Sequence, residues 1–234
     1  MNRMRIRFLG LLMILMYSNI YTQDSPIILG GDNSEGMFFY EYAPPLKIKA
    51  VYKDTVQAVN NFPEQLMQSI ISAKSQKWVG YNTLGGLEKS DKKSQKHFEQ
   101  IANMDIDKNF FVLHNKLEFV VEGVPTAIIK FYIHLEDVIK PISAAVVMQK
   151  KNNRWYKTST TYTSRLSIML MRLKSDKLKN VLTGSVDHQK EKELLKEITE
   201  NKGISLDRLV NTFYGWYTSK NTDMLNYFID EKAW

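Results

Sequence analysis

The sequence predicts an α+β protein in which helices on the N-terminal side pack on an antiparallel β-meander and further helices follow it. Three observations carry that prediction. Between Asn109 and Thr160 apolar residues recur at every second position, the period of strands with two unlike faces. Before this stretch Leu66, Met67, Ile70 and Ile71 sit at helical spacing behind Pro63-Glu64, and proline suits a helix's first turn. After it, Leu166, Met169, Leu170 and Leu173 restore the helical period.

The chain opens with Met1-Asn-Arg-Met-Arg-Ile-Arg7, three arginines without an acid, then a ten-residue apolar run from Phe8 to Tyr17 and the polar stretch from Ser18 to Asp24. That order is a secretory signal peptide over residues 1–22, cleaved near Thr22 or Gln23. A membrane-spanning helix needs about 20 apolar residues, so the expected fate is cleavage and export to the periplasm or beyond the cell. No later segment has spanning length, which predicts no membrane span in the mature chain.

Residues 23–36, with Gly30-Gly31-Asp-Asn-Ser-Glu-Gly36, read as a flexible lead. Order is expected from Met37-Phe-Phe-Tyr-Glu-Tyr42, an interruption at Pro44-Pro45, and a strand over Leu46–Tyr52. The helix behind Pro63 leads to an aromatic loop, Trp78–Gly86, and a second helix from Ser90 to about Met104 with Phe98 and Ile101 inward. The expected organisation is an α+β domain over 37–162 and a helical extension over 163–234.

In the meander, Phe111, Leu113, Asn115, Leu117, Phe119 and Val121 form one stripe, and His114, Lys116, Glu118 and Glu122 belong to the other. Gly123-Val-Pro125 turns the chain, and Ala127, Ile129, Phe131, Ile133 and Leu135 repeat the stripe against Thr126, Lys130, His134 and Glu136. One face is read as core and one as wet. A turn at Glu136-Asp137 sets Phe131 opposite Ile142 and Ile129 opposite Ala144, so that Ile142, Ala144, Val146 and Met148 join the buried stripe. Asn152-Asn153 suits a two-residue hairpin and Arg154–Thr160 is the fourth strand, with Pro141 the one discordant residue.

Beyond Thr160, Leu178 to Leu182 ends at Gly184, a helix terminator. Asp187–Asn201 is a charged surface helix anchored by Leu194, Leu195 and Ile198. The helix from Ser205 to about Ser219 carries Leu206, Leu209, Val210, Phe213, Trp216 and Tyr217 on one stripe, and Met224, Leu225 and Phe228 mark a last short helix.

Composition excludes several classes. The 234 residues are 44% hydrophobic and 24% charged, as in an ordinary globular protein. With no cysteine, neither disulfides nor a lipid-modified N-terminal cysteine can form. The leader holds three of the 32 basic residues, and the remaining 29 against 25 acids leave +4 rather than +7. The clusters Lys89–Lys96, Lys150-Lys151 and Arg172–Lys179 are interleaved with acids and polar residues, so they read as solvated faces, and no nucleic-acid partner is expected. His114 and His134 lie diagonally rather than opposite, with Glu118 and Glu136 nearby, and do not reach metal-ligand spacing; of the remaining pair, His97 and His188, His97 reads as a surface or boundary residue of a helix face beside Phe98. No metal and no cofactor are expected. No nucleophile elbow, phosphate loop or dinucleotide fingerprint occurs.

Two helices followed by a long curved meander, with Pro63-Glu-Gln-Leu-Met-Gln-Ser-Ile-Ile71 and Asn152-Asn-Arg-Trp155, resemble the NTF2-like superfamily, also called cystatin-like or SnoaL-like, over about residues 61–160. The resemblance implies a bent sheet wrapped on helices around a conical cavity that serves as an active site or a docking pocket. Enzymes of that family set an Asp or His, often with a Tyr or Asn, on the inner face as acid and base; here Asn115 is the only polar residue of the stripe. The pocket candidates are therefore Trp78, Tyr81, Phe111, Asn115 and Phe131, with no catalytic residue. The function expected is non-enzymatic binding of a small apolar ligand or an envelope protein, through the pocket or the helix carrying Phe213, Trp216 and Tyr217. The alternatives are a SnoaL-like small-molecule enzyme of isomerase, dehydratase or cyclase type and a structural protein that homodimerises through that aromatic helix.

Overall fold

The computed structural model describes residues 27–29, 37–86, 98–99, 103–158, 161–200, 206–219 and 221–230. The expected signal peptide, His97 and most of the helix expected over 90–104 lie outside the described residues. Six strands form one antiparallel sheet in chain order: β1 (Ile27–Leu29), β2 (Met37–Ile48), β3 (Phe110–Val121), β4 (Val124–His134), β5 (Ile142–Lys151) and β6 (Arg154–Thr158). Helices α1 (Pro63–Ser72) and α2 (Gln76–Asn82) come between β2 and β3. After β6 follow α3 (Thr161–Arg172), α4 (Ser175–Thr183), α5 (Gln189–Thr199), α6 (Leu206–Ser219) and α7 (Thr222–Phe228). No helix of the described residues is long and apolar enough to cross a membrane.

Turn chemistry places the hairpins. Glu122-Gly123 (φ 50° and 76°) and Asn152-Asn153 (φ 50° and 60°) hold the left-handed backbone that a two-residue type I′ turn requires. Pro125, expected in the first turn, is instead inside β4 opposite Val120 and beyond the last pair with β5, Thr126 and Gln149, where its missing N–H costs no bond on that side. Pro141 falls just before β5 begins at Ile142. Gly184 ends α4 in the left-handed conformation (φ 71°).

Four departures from the sequence reading matter. Ile27–Leu29, inside the expected flexible lead, pairs with Met37–Phe39 as an edge strand. Pro44-Pro45 does not divide two strands: β2 runs through, and its register jumps from Glu41 opposite Asn115 to Leu46 opposite Leu113, so the prolines sit in an unpaired bulge. Strand structure then stops at Ile48 rather than Tyr52. Between β4 and β5 the register is shifted by two residues, Phe131 facing Ala144 and Ile129 facing Val146. Because the side-chain period is two, the shift leaves the β5 stripe on its expected face, but Ile142, read as buried, is exposed at the start of the strand.

The fourth departure lies in β3. Leu113 faces Phe131 but Asn115 faces Lys130, so an extra residue is inserted at His114. Phe111 and Leu113 therefore pack with Leu66, Met67, Ile129 and Met148 under α1, while Leu117 and Phe119 cross to the opposite face with Ile128 and Val147. The stripe that sequence alternation reads as continuous serves two cores.

The face expected to be wet is covered. Phe39, Leu117, Phe119, Ile128 and Val147 share one core with Leu166, Met169, Leu170 and Leu173 of α3 and its end, Leu178, Val181 and Leu182 of α4, Leu194 and Ile198 of α5, Leu209, Val210 and Phe213 of α6, and Met224 and Phe228 of α7. The helices expected as an extension thus pack on the sheet. Thr126 and Lys130, read as solvent-facing, are buried, as is Tyr132 between them and the strand end.

Lys130 has no exposure at all. Burying an ammonium costs several kcal/mol unless it is paired and hydrogen-bonded. Its Nζ donates to the Leu173 carbonyl and to Asp230 Oδ2, the latter at 3.0 Å, and the Tyr132 hydroxyl donates to the same carboxylate oxygen. Burial and that carboxylate push the Tyr132 hydroxyl far above its ordinary pKa, so it stays a donor. Asp230 N donates to Arg172 O and Lys174 N to Phe228 O, which ties the chain after α7 to the α3–α4 junction.

A candidate apolar ligand cavity

The face carrying α1 and α2 is less completely filled. Pro63 at N1 starts α1, and Leu66 and Met67 pack on the sheet without exposure. One turn later Ile70 and Ile71 are only partly buried, and beyond them lies a cavity of about 320 Å³. Its lining comes from Ile70 and Ile71 of α1, Ala50 after β2, Phe110 and Phe111 at the start of β3, Ile133 and His134 at the end of β4, Leu135, and Met104, Ile106 and Asn109 before β3. The strand ends place these residues together: Phe110 faces His134 and Phe111 faces Ile133 across the ladder.

Aromatic contacts build the floor. Phe111 tilts against Phe131 with ring centroids 4.7 Å apart. Phe110 stacks on the His134 ring at 4.6 Å, and the Lys47 ammonium lies 3.5 Å from the Phe110 centroid. Asn109, the buried amide in the wall, donates from Nδ2 to Asp105 O at 2.8 Å and accepts the Glu136 N–H at Oδ1. It joins the segment before β3 to the end of β4. Next to the lining in sequence, Lys49 pairs with Asp107 and Lys108 with Glu136, both exposed. The arrangement can hold an apolar group behind a rim of ion pairs.

Of the residues singled out in the sequence, Phe111 lines the cavity and Phe131 supports it from behind. Trp78 and Tyr81 do not. Trp78 packs on Ala58 and Ala73, and its Nε1 donates to Ser69 Oγ at 2.9 Å. Tyr81 donates to Ala58 O at 3.1 Å, and the Arg154 guanidinium covers its ring at 3.4 Å. Asn115 is on the opposite face because of the inserted residue at His114, and its Oδ1 accepts the hydroxyl of Ser175, the first residue of α4. On α6, Phe213 is buried in the core, Trp216 stacks on Phe228 at 5.5 Å and is half-buried, and Tyr217 is 40% exposed. The aromatic helix is mostly committed to packing.

Sequence reasoning missed the ionisable cluster on the α1 face. The Tyr42 hydroxyl donates to Glu64 Oε1 at 2.6 Å, and Lys116 Nζ donates to the same oxygen at 2.8 Å and lies 3.0 Å from Glu118 Oε1. Burial alone would raise the Glu64 carboxyl, but Lys116 and the two hydrogen bonds outweigh it and hold the group below its ordinary pKa. Burial likewise opposes the charge of Lys116, and its two carboxylates more than restore it. Tyr42 is pushed well up by burial and by Glu64. Each group thus keeps its ordinary neutral-pH charge, which is the signature of an ion-pair clamp rather than of a proton donor poised near pH 7. None of the cluster lines the cavity.

A second depression, of about 310 Å³, lies among α5, α6 and α7 and is lined by Glu193, Lys196, Glu197, Glu200, Trp216, Asn221 and Met224. Among the described residues no group of three His, Asp or Glu is placed to hold a metal ion. Comparison of the chain with protein-family models, with curated proteins and with solved structures returns no match.

Proposed function

We propose that the chain is an exported binding protein whose cavity at the Phe111–Ile133 end of the sheet takes a small apolar ligand. The observation that supports this is a preformed void of about 320 Å³ with an almost wholly apolar wall, whose one amide, Asn109, already has partners for both ends of its side chain. Ligand pockets start at roughly 300 Å³, and an apolar cavity of about 150 Å³ holds benzene. The volume suits two fused rings or a medium-length alkyl chain. Two helices over an antiparallel meander with a void at one end also support the NTF2-like reading of this half of the fold. The enzyme alternative would need an acid or base aimed into the cavity; the one imidazole in its wall, His134, is stacked on Phe110, and the buried cluster of Tyr42, Glu64 and Lys116 lies elsewhere on that face.

Titration with N-phenyl-1-naphthylamine, a neutral two-ring fluorophore, tests the proposal. Saturable one-to-one binding is expected, displaced by medium-chain fatty acids and abolished by Ile133→Trp, which fills the void while the far-ultraviolet dichroism of the fold is retained. Binding that persists unchanged in Ile133→Trp places the ligand elsewhere and sinks the assignment.

A further inference from the structure

A second feature, independent of the cavity, lies between β2 and α1. The connecting loop Val51–Phe62 carries four exposed large apolar side chains, Val51, Val56, Val59 and Phe62, with Val56 83% and Phe62 62% exposed. Single exposed apolar residues are ordinary, whereas several on one projecting loop mark a contact surface.

The loop is a built element. Asp54 Oδ1 accepts the N–H groups of Val56 and Gln57 at 3.0 and 3.3 Å, Gln57 Oε1 accepts Lys53 N–H at 2.8 Å, Gln65 Oε1 accepts Asn61 N–H at 2.8 Å, and Ala58 N–H donates to Thr55 O. Its base is anchored by Ala58 against Ala73 and Trp78 and by the Tyr81 hydroxyl on Ala58 O. The tip therefore turns apolar side chains outward while its own side chains occupy these backbone N–H groups. Both properties suit entry into a lipid interface, where an unsatisfied N–H is costly and apolar side chains gain by leaving water.

The surrounding charge selects the partner. Lys53 on the loop, and Lys74 and Lys77 flanking the Ala73–Trp78 anchor, are exposed and have no ion-pair partner among the described residues. Asp54 is the loop's only acid and faces its own turn, while Glu64 points inward to Tyr42 and Lys116. One ammonium on the loop and two beside the residues that anchor its base suit a plane of anionic headgroups. A second copy of the chain would instead bring like charges face to face. We infer that the Val51–Phe62 loop is a membrane-contact element, with Val56 and Phe62 entering an anionic lipid interface and Lys53, Lys74 and Lys77 held at its phosphates.

The chain has no cysteine, so Val56→Cys gives one attachment point for an environment-sensitive nitrobenzoxadiazole label, and Glu193→Cys on α5 gives a remote control. The full chain is mixed with vesicles of phosphatidylglycerol and phosphatidylethanolamine. Expected are a blue shift and quenching by brominated lipid at the Val56 position, no change at the Glu193 position, and little response to phosphatidylcholine vesicles. Adding Val59→Ser and Phe62→Ser should weaken the response about tenfold by removing apolar area, while serine at position 62 remains a good cap for α1. High salt, or Lys53→Gln with Lys74→Gln and Lys77→Gln, should weaken it as well. A label that stays in water on vesicle-bound chain, held by the apolar Phe8–Tyr17 run alone, overturns the inference. A blue shift without vesicles that grows with protein concentration also overturns it, by assigning the patch to a second copy, as does a response indifferent to the serine substitutions.

Discussion

The two faces of the sheet are built from the same strands yet are finished differently. On one, five helices bring a continuous set of Leu, Met, Val and Phe side chains down on Phe39, Leu117, Ile128 and Val147, and even a lysine is enclosed with its partners. On the other, the short helix α1 covers Leu113, Ile129 and Met148 but leaves the Phe111–Ile133 end hollow. Burial of the polar groups differs in kind as well. Lys130, Tyr132 and Asp230 lock the chain end onto the closed face, whereas Tyr42, Glu64 and Lys116 clamp α1 beside an open one. Close packing and open volume thus lie on opposite sides of one sheet.

The sharpest way to break this contrast is at the lock. Asp230→Ala removes the carboxylate paired with the buried Lys130 ammonium, and a loss of about 3–5 kcal/mol is expected in urea unfolding. Adding Lys130→Met should recover most of it, since an apolar side chain needs no partner there; no recovery would mean that the Asp230 carboxylate acts through the Tyr132 hydroxyl rather than through the lysine. Next in size comes a matched pair of truncations. Leu170→Ala on the closed face should cost about 3 kcal/mol, whereas Ile70→Ala at the hollow end should cost about 1 kcal/mol, because the void there already exists and solvent can share it. Equal losses would erase the distinction between the faces, and a larger accepted probe in Ile70→Ala would sharpen it.

The smallest effect concerns pH. Glu64 is held below its ordinary value of 4.5, so its contribution to stability is present above that value and is lost as pH falls through the lower folded value. Lys116 is raised above 10.5, so its share is complete below that value and is lost as pH climbs through the folded one. Glu64→Gln should therefore cost about 1–2 kcal/mol at pH 7 and flatten the acid limb of the stability curve. An acid limb identical to that of the parent chain would show that the clamp carries no linkage.

What could be read from the sequence was local. Asn152-Asn153, Gly184 and Pro63 announce their turn, cap and first helical position because each acts within a few residues. The β4–β5 pairing was displaced by two residues without harm, since a period of two forgives an even shift. The insertion at His114 left no mark in the alternation, because Leu117 and Phe119 are as apolar as Leu113 and suit either face. Lys130 reads as wet because the partner that permits its burial is 100 positions away. One signal was present and unused: Ile128, Tyr132 and Val147 interrupt the supposedly polar face, and Ala127-Ile-Ile-Lys-Phe-Tyr-Ile133 is the near-continuous apolar run of a strand covered on both sides. The cavity itself had half a signature, in Phe111; its other walls come from Ile70, Ile106 and Ile133, which only the fold assembles.

The inserted residue in β3 has a consequence for how the molecule comes apart. A strand that stayed on one side would let the hollow face loosen while the closed face held. Here the first half of β3 belongs to one core and the second half to the other, so peeling either layer withdraws residues that the opposite layer needs. The extra residue at His114 works as a splice, through which one stripe of a single strand is shared between two cores.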